Sequence, residues 1–92
     1  MIGAVYCELL IYDANSLKEK RSVLKSIITK LKQRYNVSVA EINHQNVWQR
    51  SEIAIVTVST DKAVAEKELQ RALALIDGVT ELERTVTNYE WL

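Results

Sequence analysis

Four cations recur along one stretch of this chain: Lys18, Arg21, Lys25 and Lys32. In a helix, at 100° per residue, they fall within an arc of roughly 60° and form a line about 20 Å long. Phosphates repeat along a nucleic-acid backbone, so a line of charge suits them better than a point. Residues 16–36 hold seven Lys/Arg and one acid, a net of +6, in a chain whose total charge is zero. The remainder therefore carries −6. This separation describes a surface that attracts an anion, with structured RNA as the obvious candidate. It equally describes a solvated helix face that keeps the protein soluble.

A second group of chemistry-bearing residues is packed between Asn43 and Arg50. It holds the only histidine, His44, together with Trp48, Gln49 and Arg50. Trp48 can stack on a base and Gln49 can read a base edge. The internal alternative is that Trp48 covers the end of the core while His44 and the glutamines satisfy backbone groups in a turn. Acid–base work by His44 with Glu41 or Glu52 is conceivable, but no nucleophile motif accompanies it. A zinc site needs about four ligands, and one His and one Cys far apart do not supply them. No Gly-rich phosphate loop can be built from Gly3 and Gly78 alone. No metal, cofactor or catalytic residue is expected.

The elements that must position these groups follow from periodicity. Residues 2–12 alternate, with Val5, Cys7, Leu9 and Ile11 on one face and Ala4, Tyr6, Glu8, Leu10 and Tyr12 on the other. Both faces are largely apolar, which predicts a central strand. Ser16 and Glu19 form a capping box that opens a helix over 16–36. Its stripe is Leu17, Leu24, Ile28, Leu31 and Tyr35, with Ile27 at the edge, and Asn36 is placed to close it in a left-handed cap. Lys20 projects toward the apolar side and must snorkel or find a carboxylate. Residues 37–42 and 51–60 read as two further strands. Asp61 caps a second helix over 62–77, with Val64, Ala65, Leu69, Ala72, Leu73 and Ile76 inward and Gly78 at its end. Residues 79–89 alternate again as an edge strand, with Leu82, Arg84 and Val86 on one face and Glu83, Thr85, Thr87 and Tyr89 on the other.

The order β-α-β-β-α-β predicts an α+β ferredoxin-like plait: a four-stranded antiparallel sheet with two helices on one face and strand three between strands one and two. Ninety-two residues make one domain. The N-terminus lacks the basic start of a signal peptide, no apolar run is long enough to span a membrane, and the lone Cys7 reads as a buried hydrophobe. A cytoplasmic setting is expected.

Three segments carry a family resemblance. Ser16-Leu17-Lys18-Glu19-Lys20-Arg21-Ser22-Val23-Leu24-Lys25-Ser26, then Asn36-Val37-Ser38-Val39-Ala40-Glu41, then His44-Gln45 with Trp48-Gln49-Arg50, resemble the signatures of the YlxP-like proteins, a bacterial family of unknown function. The chain departs from the family pattern at Asn46-Val47. The resemblance implies a ferredoxin-like fold, a homodimer, and a genetic setting beside translation and ribosome-maturation factors. It implies no reaction.

The first strand also partly resembles that of RNA-recognition motifs. Those domains place stacking aromatics on strand three. Here that strand is Ile53-Ala54-Ile55-Val56-Thr57-Val58, without an aromatic, so RNA recognition across the sheet is disfavoured. An open aliphatic face is better covered by another subunit. The expected function is a non-enzymatic accessory protein that contacts structured or ribosomal RNA through Lys18, Arg21, Lys25 and Lys32, with His44, Trp48, Gln49 and Arg50 adding specificity. The alternatives are a dimer with an acidic protein partner, and an enzyme acting on a phosphorylated small molecule near His44 and Arg50.

Overall fold

The computed structural model describes residues 1–92. Six elements follow in the expected order: β1 (Ile2–Leu10), α1 (Leu17–Arg34), β2 (Ser38–Asn43), β3 (Arg50–Val58), α2 (Lys62–Asp77) and β4 (Glu83–Trp91). The sheet order is β2-β3-β1-β4 and its paired strands are antiparallel. β3 therefore lies between β1 and β2, as the right-handed crossover through α1 requires. No helix is long and apolar enough to cross a membrane.

Register follows from which residues must meet the helices. Val5 stands opposite Ile55, Cys7 opposite Ile53 and Val39 opposite Ile55, so the three strands offer one continuous aliphatic face. A one-residue slip would turn all of them to the other side. Leu24, Ile27 and Leu31 of α1 and Leu69, Leu73 and Ile76 of α2 close over that face. Each such side chain, fully buried, contributes about 1.5–3 kcal/mol. Cys7 is free and buried, and burial pushes its thiol up to about 11, so it stays protonated at neutral pH. Gly3 is required by packing: a Cβ there would collide with the ring of Trp91, its register partner on β4.

Both helix starts are built as the sequence predicts. The Ser16 hydroxyl accepts from the Glu19 N–H at 3.1 Å while the Glu19 carboxylate accepts from the Asn15 N–H at 2.7 Å. Asp61 accepts from the Val64 N–H at 2.9 Å. Other details differ. The buried stripe of α1 is Lys20, Leu24, Ile27 and Leu31, so Ile27 is central and Ile28 is only partly buried. Asn36 does not form a left-handed cap; the only non-glycine residue with positive φ is His44. α1 ends instead at an extended Tyr35 whose N–H reaches Leu31 O. Asn36 is pinned from outside, its N–H to Glu68 and its amide to Val58 O, and those tertiary bonds decide its conformation. Val64 is 53% exposed because α2 turns its first apolar residue away from the sheet.

The alternation expected in β4 is also broken. Its register against β1 shifts between Cys7 and Leu9. A bulge inserts one extra residue, so Arg84 and Thr87 share a face and hydrogen-bond at 2.9 Å. Val86, expected beside Arg84, is 59% exposed.

These placements separate two neighbouring residues of the same type. Ile27→Ala is expected to cost about 2–5 kcal/mol in chemical denaturation, and Ile28→Ala distinctly less. Equal losses from the two would contradict the phase of α1 against the sheet.

Candidate functional site

The chemistry-bearing residues gather on α1 and at one end of the sheet. α1 presents Lys18, Arg21, Lys25, Lys30, Lys32 and Arg34 to solvent. None of the six lies in an ion pair, whereas Lys20, Arg50, Arg71 and Arg84 each meet a carboxylate. The predicted line of Lys18, Arg21, Lys25 and Lys32 is thus a free cationic surface. Between Lys25 and Lys30 it runs past a shallow groove of about 430 Å³ that is edged by Ser22, Ser26, Thr29 and Gln33.

At the sheet end, the inward cation finds its carboxylate. Lys20 is fully buried and its ammonium lies 3.0 Å from Glu41 Oε2 at the end of β2. The same oxygen accepts from the buried Ser51 hydroxyl of β3 at 2.6 Å. The ammonium also donates to the His44 carbonyl. Three elements and one loop therefore converge on a single charge. A buried ammonium is tolerable only with such partners, since desolvation costs several kcal/mol. His44, held at φ 63°, is the residue whose carbonyl is turned to Lys20.

The His44 ring reaches the opposite side of the sheet. Its Nε2 lies 3.4 Å from Glu8 Oε1, and Arg50 Nη2 lies 3.2 Å from Glu8 Oε2. Hydrogen bonds from His44 and then Arg50 hold the Glu8 carboxyl below the usual carboxylate range. Gln49 reaches back to the β1–α1 connector, its amide donating to the carbonyls of Tyr12 and Ala14, both at 3.2 Å. Gln49 therefore secures the turn. Trp48 does not cover the core. Its side chain is 52% exposed, beside an exposed Val47.

The structure thus brings His44 and Arg50 together on Glu8, leaves Trp48 free, and places the loop at the N-terminal end of the basic line through Lys20. Sequence reasoning passed over Glu8 and Ser51. Glu8 was visible as the lone charge in the apolar run of β1, which calls for a cationic partner. Ser51 carried no signal, because an isolated serine in a strand is ordinary. No group of three or more metal-ligating side chains is close enough to hold an ion. None of the five principal concavities is lined by His44 or Arg50.

By architecture the molecule is a ferredoxin-like plait with unpaired cations on α1 and with His44, Glu8 and Arg50 joined at one end of the sheet. A family profile described as "Protein of unknown function (DUF503)" matches residues 2–89, and the chain belongs to that family. "Uncharacterized protein YlxP" of Bacillus subtilis (strain 168) is 54% identical over 91 residues, covering 99% of each chain. Among solved structures, "De novo designed protein Foldit4" aligns with 100% of this chain and 99% of its own at a TM-score of 0.62. With 16% identity, that likeness speaks for the fold alone.

The Lys20 pair yields a direct expectation. Glu41→Ala leaves the buried ammonium with only neutral acceptors and should destabilise the protein by about 3 kcal/mol in urea unfolding. Lys20→Met/Glu41→Leu, which removes both charges, should restore much of that loss. A double variant no better than Glu41→Ala would show that the pair matters for more than charge compensation.

Proposed function

We propose that this protein is a non-enzymatic accessory factor that grips structured RNA through the outer face of α1. The observation that carries this reading is the line of Lys18, Arg21, Lys25 and Lys32 along one flank of α1, none of them with a carboxylate partner. Three acids are engaged elsewhere: Glu8 with His44 and Arg50, Asp77 with Arg84, Glu68 with Arg71 and Asn36. A free row of charge along a straight helix suits a phosphate backbone. Trp48, exposed at the N-terminal end of that row, supplies a stacking surface for an unpaired base. The resemblance of the three motifs to proteins encoded beside ribosome-maturation factors supports ribosomal RNA as the target.

The open face of the sheet supports a homodimer in the same reading. Tyr6, Leu10, Ala54 and Val56 are only half-buried there and Val58 is 60% exposed. Its one cation, Arg50, already meets Glu8. A face of this composition suits a second apolar surface better than a phosphate. Packing two copies through it leaves both α1 helices outward. Sedimentation at micromolar concentration is expected to give twice the monomer mass, and a monomer at high concentration would remove the dimer.

RNA binding is tested by filter binding to ribosomal RNA at several salt concentrations. Arg21→Glu/Lys25→Glu should weaken binding to all sequences and reduce the steepness of its salt dependence by roughly two phosphate contacts. Trp48→Ala should instead change preference among RNAs. Equal affinity and equal salt slope for wild type and the charge-reversed protein would overturn the RNA reading. Binding from extract that survives nuclease would favour an acidic protein as the partner of α1.

A further inference from the structure

Two further α1 cations, Lys30 and Arg34, lie on the other flank of the helix, toward α2. Lys30 and Arg34 of α1 face Arg71 of α2 across a groove of about 430 Å³, whose apolar wall includes Tyr35, Leu75 and Val79. These three side chains are partly buried against the core cluster, so the wall is fixed from behind. Lys30 and Arg34 have no carboxylate partner. Arg71 is held only loosely, 3.5 Å from Glu68 with its side chain 64% exposed. Asp77, the acid closest in sequence to the groove's Gly78, commits both oxygens to Arg84 at 2.8 Å. The backbone at this corner is also satisfied, with the Gly78 N–H bonded to Ala74 O and the Val79 N–H to Ile76 O. What the groove leaves unmet is anionic charge beside an apolar wall.

The other concavities lack this combination. The groove beside Lys25 and Lys30 has cations but no apolar residue. The cavity beside Lys67 and Arg71 also holds Glu68. The small cleft under Ile11 and Val23 has two glutamates and an aspartate and no cation. The Lys30–Arg34–Arg71 groove alone among the five joins cations to an apolar wall with no carboxylate in its lining.

We propose that this groove is a nucleotide subsite, taking an unstacked base against Tyr35, Leu75 and Val79 while Lys30, Arg34 and Arg71 hold its phosphate. The proposal deepens the RNA reading of α1 and rests on it for the source of the nucleotide. Lys18 and Arg34 are 16 residues apart, about 24 Å along the helix. A strand that follows Lys18, Arg21 and Lys25 must cross over α1 to place a base in the groove, because Lys30 and Arg34 lie on the helix's other flank. The groove volume is in the range of small-ligand sites, and aromatic stacking with arginine–phosphate bonding is the usual way such a nucleotide is held.

The test is an amide chemical-shift titration of the intact protein with adenosine monophosphate and, separately, with inorganic phosphate. Adenosine monophosphate is expected to shift Tyr35, Ala74, Gly78 and Val79 and to bind about tenfold tighter than phosphate. Arg34→Ala/Arg71→Ala, which changes two exposed side chains and leaves the core intact, should weaken nucleotide binding about tenfold. Equal affinity for the two ligands, or shifts confined to residues 18–25, would overturn the subsite. Filter binding of the same samples separates the two readings. RNA affinity that depends on Arg21 and Lys25, with no nucleotide in the groove, overturns the subsite alone. A nucleotide in the groove of a protein without RNA affinity upholds the subsite and overturns the RNA reading.

Discussion

The buried ammonium of Lys20 is the constraint on which the rest of the arrangement depends. It occupies the first turn of the inward stripe of α1, where a hydrophobic residue would ordinarily sit. Its charge must be met, and the partners that meet it come from β2, β3 and the 44–49 loop. Hydrophobic contact alone would let α1 roll over the sheet at modest cost, because aliphatic packing is non-directional. An ammonium bonded to Glu41 and to the His44 carbonyl fixes that roll. It thereby decides which α1 residues face water, and these include the four predicted cations. The accepting carbonyl belongs to His44, the one non-glycine residue in the left-handed region, at the start of the loop that carries Trp48.

A division of surfaces follows. The helix side presents free cations. The open side of the sheet presents aliphatics with acids along the margins, where Tyr6 and Tyr12 donate to Glu90 and Glu83. Those carboxylates push both phenols upward, so the tyrosines remain neutral hydrogen-bond donors. One side carries unpaired cations, and the other carries aliphatics with acids at its margins. A ferredoxin-like domain that used its sheet for RNA would carry stacking aromatics on β3; this one has none there, and its one cation on that face, Arg50, is paired with Glu8.

Much of the fold was legible because its signals are local. The capping box at Ser16–Glu19, the cap at Asp61 and the end of α2 at Gly78 were each written within four residues. The alternation of β1 and β3 was long enough to fix their faces. What escaped was set by distant partners. The sequence placed Lys20 on the apolar side but ranked Ile28 above Ile27 in the stripe; the demand for a carboxylate was readable, but its source on β2 was not. Asn36 looked like a helix cap until Glu68 and Val58 claimed its polar groups. The β4 bulge arises from pairing with β1 and has no marker of its own, such as a glycine, inside the strand. At the site, the basic row was plain from spacing. The role of Gln49 in tying the connector, and the bridging of His44 and Arg50 by Glu8, depend on contacts 35 to 42 residues apart in sequence.

The zero net charge limits how any polyanion can be recognised. A strongly basic protein is drawn to nucleic acid from a distance, whatever face it presents. Here the +6 of residues 16–36 is cancelled by the rest of the chain, and at physiological ionic strength fields decay over about 8 Å. Attraction is therefore felt only close to α1 itself, and a polyanion arriving at the sheet meets no favourable potential. On the proposed RNA reading, binding through α1 depends on fit along Lys18, Arg21, Lys25 and Lys32 rather than on bulk charge. This favours a rigid helix over a flexible basic tail as the carrier of the cations, because only fixed spacing can distinguish a shaped phosphate backbone from any other polyanion. The Lys20 anchor, by holding α1 in one orientation, supplies that rigidity.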